Sequence, residues 1–555
     1  MPVPVLVVNL GQSVLRSLDD YTRAAEEIYS HYRQGQNVVA VTSAQGDQSD
    51  MLMAEARRVG PGERAKNLAE LLQLGERRSA ALLALALERI GAPAFVRQAR
   101  DLGLRATADG ALTEMDDEQL CQDLRDHDIV VMPGYVGIGS NDRPVLLGSG
   151  GADFTALYVA ERLGTRALLL KDVDGVYESD PKAGDAKRYS EISWDDALEK
   201  AGPLLERRAL EFARDKRFAF EVGAPGTPQY TVVGDRTSTP EVAQPHRKLR
   251  VAMMGLGVVG GGVYRRIKGL PERFELVKTL TRRPEKYLME GYRPDELTDD
   301  FDELLALEPD VFVDVAGSVE PALSRTKAML EAGVHVVSAN KQAIAAGGQE
   351  LLDLAEAKGV QLRFSAAAGG GMPILEMMER ERGRVVEVRA LLNGTTNYML
   401  DRISSGVAYE DALKEAQELG FAEADPTADV GGADAAAKIR LLGLLGFGEA
   451  VEMGDIPTES IEGFEPDAES DGRWKRVARV WKDEQTGFHT ALELKALSPN
   501  AFLAEAHGEE AHAVVRFSDG DEYRIRGKGA GRWPTTAAVM ADLFDIAHHM
   551  GSGNG

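Results

Sequence analysis

The chain has a single cysteine, Cys121, in 555 residues. One thiol excludes an intramolecular disulfide and any zinc site built on several cysteines, and it fits a reducing compartment. Positive charge is scarce: 64 lysines and arginines face 89 aspartates and glutamates, for a formal net charge of −25. A phosphate backbone needs a basic surface, so this balance argues against nucleic-acid binding. There is no long hydrophobic run either. The apolar stretch Ala80–Leu87 stops at Glu88-Arg89, far short of the ~20 residues that span a bilayer. The opening Met1-Pro-Val-Pro-Val has no basic segment followed by an apolar one, so no secretory signal is expected. Low-complexity tracts and internal repeats are missing too. The class left is a soluble, cytoplasmic globular protein, long enough for about three domain-sized units.

The expected linker, residues 236–247, lies in the polar stretch Gly234-Asp-Arg-Thr-Ser-Thr-Pro240-Glu-Val-Ala-Gln-Pro245-His and ends one residue past it, at Arg247. Two prolines and no apolar period mark it as a linker. On each side, short β-branched runs alternate with longer helical patterns, the mark of α/β folds with mainly parallel sheets. Before the joint, strands are expected at Val3–Val8, Asn37–Val41, Ile129–Met132, Ala167–Leu170 and Tyr230–Val233. After it, they are expected at Leu249–Met254, Phe274–Leu280, Val311–Val315, Val334–Val337 and Gln361–Phe364.

The densest chemistry lies in Glu423-Ala-Asp425-Pro426-Thr-Ala-Asp429-Val-Gly431-Gly432-Ala-Asp434-Ala-Ala-Ala-Lys438. Four carboxylates in twelve residues repel one another unless cations sit among them. An amino-acid substrate and active-site lysines would supply those cations. The glycine pair reads as a turn and the alanine run as a helix, so Asp434 and Lys438, at i,i+4, share one face. A solvated acidic loop followed by a surface ion pair is the competing reading of this segment alone.

Gly255-Leu-Gly257-Val258-Val259-Gly260 follows an expected strand and opens a helical pattern. In that context G-x-G-x-x-G is a dinucleotide fingerprint, because glycines let the backbone approach a pyrophosphate at the helix N-terminus. The next strand ends in Thr281-Arg282-Arg283-Pro284, with no acid to hold a ribose. Two arginines there suit a 2′-phosphate, which favours NADP(H), with NAD(H) as the alternative. Three polar or small-residue segments lie further along: Val336-Val-Ser338-Ala-Asn340-Lys341, Ala366-Ala-Ala-Gly369-Gly370-Gly371-Met-Pro373, and Leu392-Asn393-Gly394-Thr395-Thr396-Asn397-Tyr398. The last is too rich in hydrogen-bonding groups for a plain strand.

The order of these segments, closed by Gly527-Lys-Gly529-Ala-Gly531-Arg-Trp-Pro534-Thr-Thr-Ala-Ala-Val-Met-Ala-Asp542, resembles homoserine dehydrogenase from about Arg247 to Met550. The resemblance implies NAD(P)-dependent interconversion of L-aspartate 4-semialdehyde and L-homoserine. It implies a Rossmann domain over 248–385 and 520–555 and an α+β catalytic and dimerisation domain over 386–519. Lys438 would donate the proton, oriented by Asp434, and Lys341 would steady the oxyanion. Glu423, Asp429 and Asp434 would face the substrate ammonium, with Gly394 and Thr395 beside it. The cofactor would meet Gly255, Gly257, Val258, Val259, Gly260, Arg282, Arg283, Ala316, Gly317, Ser338, Asn340, Lys341, Gly420 and Gly529. No side-chain metal site is expected, and a monovalent cation on the glycine-loop backbone is allowed by the resemblance. A homodimer or homotetramer is likewise a family expectation.

Residues 1–235 resemble the aspartokinase catalytic domain, of the amino-acid kinase fold, an α/β sandwich. Its marks are Gly148-Ser149-Gly150-Gly151-Ala152-Asp153, Lys171-Asp172-Val-Asp174-Gly175-Val-Tyr177, and Gly75-Glu76 followed by Ser79. The charges depart from the family pattern. Asn9-Leu10-Gly11-Gln12 stands where the family has K-F-G-G, Ser149 where it has an arginine, and Pro203-Leu-Leu-Glu206-Arg207-Arg208-Ala209 where it has K-V-L-H-P-R-A. Phosphoryl transfer rests on positioning and cationic stabilisation. Three lost charged hydrogen bonds, at about 1.5–3 kcal/mol each, would remove about 5–9 kcal/mol of it. Lys171, Arg77 and Arg207 are cations nearby, none at an equivalent sequence position. The expectation is a pseudokinase; the alternative is a bifunctional aspartokinase and homoserine dehydrogenase.

Overall fold

Uninterrupted apolar runs such as Leu-Val-Val at 6–8 and Val-Val-Ala-Val at 38–41 suit strands buried on both faces, which is where parallel sheets place them. The computed structural model describes residues 3–61, 67–181, 186–202, 204–227, 229–242, 247–422, 424–467, 472–483 and 485–552. Within it the chain forms two units that divide between residues 245 and 246.

The first unit is built on eight strands: β1 Val5–Leu10, β2 Asn37–Thr42, β3 Ala94–Val96, β4 Ile129–Pro133, β5 Arg166–Leu170, β6 Glu191–Ser193, β7 Phe220–Gly223 and β8 Thr231–Gly234. Their order is β6-β8-β7-β5-β1-β2-β4-β3, and only the β7–β8 pair is antiparallel. The chain steps from β1 to one side and returns at β5 on the other, so the switch point of the sheet lies between β1 and β5. Ligands of open α/β sheets gather at the carboxyl ends of such strands. The first strand runs two residues beyond the expected Val8, which carries Asn9 into the sheet opposite Val41 and Leu169. Helix α1, Gly151–Leu163, starts from the glycine loop at this edge.

The expected linker is partly fastened to this unit. Glu241–Val242 pairs antiparallel with Lys187–Arg188, and Ser238 donates its backbone N–H to the Glu191 carbonyl at 2.9 Å. Its remaining length includes residues 243–246, outside the described set.

The second unit opens with six parallel strands: β9 Leu249–Met254, β10 Phe274–Leu280, β11 Leu297–Thr298, β12 Val311–Asp314, β13 His335–Ser338 and β14 Leu362–Arg363. Their order, β11-β10-β9-β12-β13-β14, is that of a doubly wound nucleotide fold. Alternate residues of β9 serve different faces. Val251 and Met253 pack with Val263 and Ile267 of helix α2, Val258–Lys268, while Ala252 and Met254 join the core on the other side. A second sheet is antiparallel: β15 Val385–Ala390, β16 Arg473–Asp483, β17 Gly487–Leu497, β18 Glu510–Phe517 and β19 Glu522–Lys528, in the order β17-β16-β15-β18-β19. The expected return to the nucleotide domain at residue 520 therefore comes too early. Residues 522–528 complete the antiparallel sheet, and only the final helix, Arg532–Ser552, returns to pack Val539, Leu543 and Ile546 onto the parallel one.

Helix α3 Lys341–Lys358 joins β13 to β14, and α4 Gly394–Ser404, α5 Thr427–Val430 and α6 Ala433–Leu442 fall between β15 and β16 in sequence. The stretch Asn393–Tyr398, too polar for a strand, is the capped start of α4. No helix among the described residues is long and apolar enough to cross a membrane.

Candidate active site

The nucleotide end is shaped by backbone. Strand β9 delivers the chain into Gly255 at φ +102°, where a Cβ would meet the Val315 carbonyl oxygen at 2.8 Å. A Cβ on Gly260 would stand 2.3 Å from the Gly255 oxygen, so the third glycine lets α2 sit against the turn. Gly257, at the N-cap of α2, faces open space. Val258 follows it, 70% exposed at the helix start, and Val259 packs partly against the sheet. A cavity of about 280 Å³ runs from Gly255 and Gly257 past Ala316 and Gly317 to Arg282, Arg283, Lys286 and Arg325. A glycine cradle continuous with four cations suits a dinucleotide's phosphates.

The loops beyond β12 and β13 are laced by one carboxylate that the sequence reading did not single out. Asp314, fully buried, accepts from the Ala316 N–H at 3.0 Å and from the Ser338 hydroxyl at 3.3 Å. Burial pushes its carboxyl up to about 6 against hydrogen bonds from Ala316, Ser338 and Asn340. Ser338 in turn accepts from the Asn340 N–H, and Asn340 donates to the Ser318 carbonyl at 2.8 Å while capping α3 at Ala343. The available signal was a lone acid ending an apolar strand, Val-Phe-Val-Asp314.

Asn340 hands the chain to Lys341, first residue of α3, whose amine pairs with Oδ1 of Asp434. Lys438, one turn along α6, lies 3.3 Å from Oδ2 of the same carboxylate. Two lysines almost a hundred residues apart in the chain thus share one acid. Lys438 is 3% exposed and also donates to the Leu392 carbonyl at 2.5 Å and the Gly529 carbonyl at 3.4 Å. Burial pulls its amine below an ordinary lysine, with Asp434 resisting. Burial by itself would raise the Asp434 carboxyl; the charges of Lys438 and Lys341 outweigh it and hold the group below the usual carboxylate range.

Asn393 joins the second acid to the first. Its Oδ1 caps α4 at the Thr396 N–H, while Nδ2 donates to Asp429 at 2.7 Å and to Asp434 at 3.1 Å. The Thr395 hydroxyl donates to the Phe421 carbonyl at 2.6 Å and reaches Asp429 at 3.3 Å. Gly394 is pressed against Glu509, where a Cβ would meet its Cα at 3.2 Å. Gly432 begins α6 at φ +99°, with a Cβ position 2.5 Å from Thr458, so only glycine fits the turn that aims Asp434. A cavity of about 410 Å³ opens on Lys341, Asp425, Asp429 and Asp434. The structure thus brings together Lys341, Asp429, Asp434, Lys438, Thr395 and Gly529. Gly420 ends the helix Tyr409–Glu418 at φ +78° and lines neither cavity. Glu423 lies outside the described residues. Arg476 of β16 was missed altogether: its guanidinium, 5% exposed, grips the Asp429 and Val430 carbonyls.

At the switch point of the first unit, Asn9 donates to Asp153 at 2.5 Å. Lys171 holds both oxygens of that carboxylate at 2.8 Å each. A lysine at no equivalent sequence position therefore stands beside Asn9, because β5 is hydrogen-bonded to β1. Ser149 donates to Glu206 at 2.6 Å, and Glu206 lies over Gly150, whose Cβ position would be 2.1 Å from its Cγ. Arg77 is exposed, and Arg207 pairs with Glu211 on its own helix.

A parallel nucleotide sheet with a glycine cradle and basic cavity, joined to a buried and a half-buried lysine sharing a carboxylate, defines an NAD(P)-dependent oxidoreductase. Family profiles agree in order along the chain: the amino acid kinase family over residues 4–217, the NAD binding domain of homoserine dehydrogenase over 255–365, and homoserine dehydrogenase over 373–544. The homoserine dehydrogenase of Synechocystis is 33% identical over 317 residues, covering 54% of this chain and 73% of the relative. That of Bacillus subtilis is 32% identical over 323 residues, covering 55% and 74%. The crystal structure of a homoserine dehydrogenase from Thiobacillus denitrificans superposes with a TM-score of 0.52 at 30% identity, over 56% of this chain and 76% of that one. The chain belongs to the homoserine dehydrogenase family, with an amino-acid kinase domain in front.

Proposed function

We propose that the second unit reduces L-aspartate 4-semialdehyde to L-homoserine, reversibly and with NADP(H) preferred over NAD(H), and that the first unit does not transfer phosphate. The carrying observation is the pair of amines, Lys341 and Lys438, on the single carboxylate of Asp434. A bound nicotinamide would supply the hydride. Reduction then needs one proton at the developing alkoxide, and Lys438 is suited to give it: desolvation makes its amine a stronger acid than an ordinary lysine, and Asp434 fixes its direction. Lys341 steadies the same oxygen. Asp429, Asp434 and Glu423 take the substrate ammonium, with Gly394 and Thr395 alongside. The fingerprint residues Gly255, Gly257, Val258, Val259 and Gly260, with Ala316, Gly317, Ser338 and Asn340, hold the dinucleotide, and Gly529 approaches it through backbone; Gly420, which lines neither cavity, is left out of this reading. Arg282 and Arg283 take the 2′-phosphate, supported by the basic wall of their cavity.

Loss of phosphoryl transfer is supported by Asn9, by the Lys171–Asp153 pair that neutralises its own cation, and by Glu206 lying across the glycine loop. The second reading, a bifunctional enzyme that also phosphorylates L-aspartate, is favoured by one observation: Lys171 brings an amine to the switch point. Assembly as a homodimer or homotetramer is part of the proposal and is read by light scattering. One purified sample assayed for semialdehyde-dependent NADPH oxidation and aspartate-dependent ADP release tests both halves. Turnover of NADPH that survives both Lys438→Ala and Lys341→Ala would sink the site; ADP release would sink the pseudokinase.

A further inference from the structure

We propose that Arg476 is a positioning residue for substrate binding, acting through Asp429; the proposal rests on the reading of this centre given above. A guanidinium buried to this degree ordinarily sits on a carboxylate. Arg476 instead spends its hydrogen bonds on two consecutive carbonyls, Val430 at 2.8 Å and Asp429 at 2.5 Å. Those carbonyls close the short helix α5, where a single turn leaves acceptors without intrahelical partners. Arg476 therefore ties β16 to the backbone of the residue whose side chain meets Asn393 and Thr395.

The same contact reaches the second acid. Gly432 comes two residues after Val430, and its Cβ position lies 3.6 Å from Nη1 of Arg476. Gly432 accepts from the Ala436 N–H and so sets the first turn of α6, which carries Asp434. Burial lowers the guanidinium to about 10, while the charges of Asp429 and Asp434 oppose that shift. One cation thus holds the backbone that carries Asp429 and leads into α6. Lys341 and Lys438 flank Asp434 on its other sides. Losing Arg476 frees the 429–432 turn, so the carboxylate meant for an ammonium swings out of register. The cofactor cavity shares no wall with this turn.

The test is steady-state kinetics of Arg476→Met, Arg476→Lys, Asp429→Asn and the Arg476→Met/Asp429→Asn double variant. Arg476→Met is expected to raise the KM for aspartate semialdehyde at least tenfold and leave the KM for NADPH within twofold. Arg476→Lys, which keeps the charge but cannot span both carbonyls, is expected to fall between. In the Asp429→Asn background the same Met substitution is expected to add less than threefold, because the residue it positions is already disabled. A semialdehyde KM within twofold of wild type, an equal rise in both KM values, or effects that multiply fully in the double variant each overturns the proposal. If Arg476→Met does not fold, Arg476→Lys carries the same comparison of the two KM values. Wild-type enzyme without turnover would overturn the reading of the centre, and this proposal with it, whereas turnover with unchanged KM values overturns only the role of Arg476.

Discussion

Replacing Asp434 by Asn tests the shared carboxylate most directly. The amide matches the side chain in size, so packing against α4 and α3 is retained and one negative charge is removed. What remains is Lys438, 3% exposed, with two carbonyls as its hydrogen-bond partners and Lys341 facing it without an acid between them. Breaking a buried pair on one side typically costs about 3–5 kcal/mol, because the surviving charge is left uncompensated. The loss should depend on pH with a definite sign. Burial already lowers Lys438 below an ordinary lysine, so the native state binds this proton less readily than the unfolded chain. Its penalty is present at neutral pH and is relieved as pH rises through the native value toward 10.5. Removing Asp434 takes away the group that raised it, deepening the penalty at pH 7 and easing it by pH 10. Urea denaturation of wild type and Asp434→Asn at both pH values reads this, and kcat/KM at pH 7 should fall about 10²–10³-fold, the scale of one lost oxyanion-stabilising group. A stability loss under about 1 kcal/mol, equal at the two pH values, would refute the picture of a buried amine held by this carboxylate.

Converting Arg282 and Arg283 together to Ala should weaken NADPH binding by about 10–100-fold, one charged hydrogen bond or more, and leave NADH nearly unchanged by fluorescence titration. Gly432→Ala adds a Cβ at φ +99°, 2.5 Å from Thr458, and should cost about 1–3 kcal/mol in denaturant unfolding and lower activity. Asp314, raised to about 6, binds its proton more tightly when folded, so its favourable contribution is complete below pH ~4 and lost as pH rises through 6. Asp314→Asn should therefore gain up to about 3 kcal/mol on wild type between pH 4 and 7; an unchanged difference in stability across that window would count against a buried ionising carboxyl there.

How much could be read in advance depended on the range of each interaction. The fingerprint Gly255–Gly260 and the cluster Glu423–Lys438 are continuous in sequence, and their periods announce a strand–turn–helix and an i,i+4 pair that the coordinates reproduce at 3.3 Å. Segment boundaries were less legible. Residues 522–528 alternate charged with other side chains, as a strand with one solvated face would, but that alternation does not say which sheet they complete; pairing with β18 decides it. Likewise Glu241–Val242 looked like linker because a two-residue edge strand is visible only through its partner, Lys187–Arg188.

Local pattern by itself determined the two α/β halves and the nucleotide turn, since turn chemistry and side-chain period act over a few residues, whereas the acids and lysines were picked out as a centre only by the family resemblance. Tertiary structure alone decided which charges meet. It put Lys341 on Asp434, Arg476 behind Asp429, Asp314 between two cofactor loops, and Lys171 beside Asn9. The physical reason is that strand order and register set these encounters. Residues far apart in the chain become neighbours only after the sheets have formed, and burial then fixes the strength of each charge.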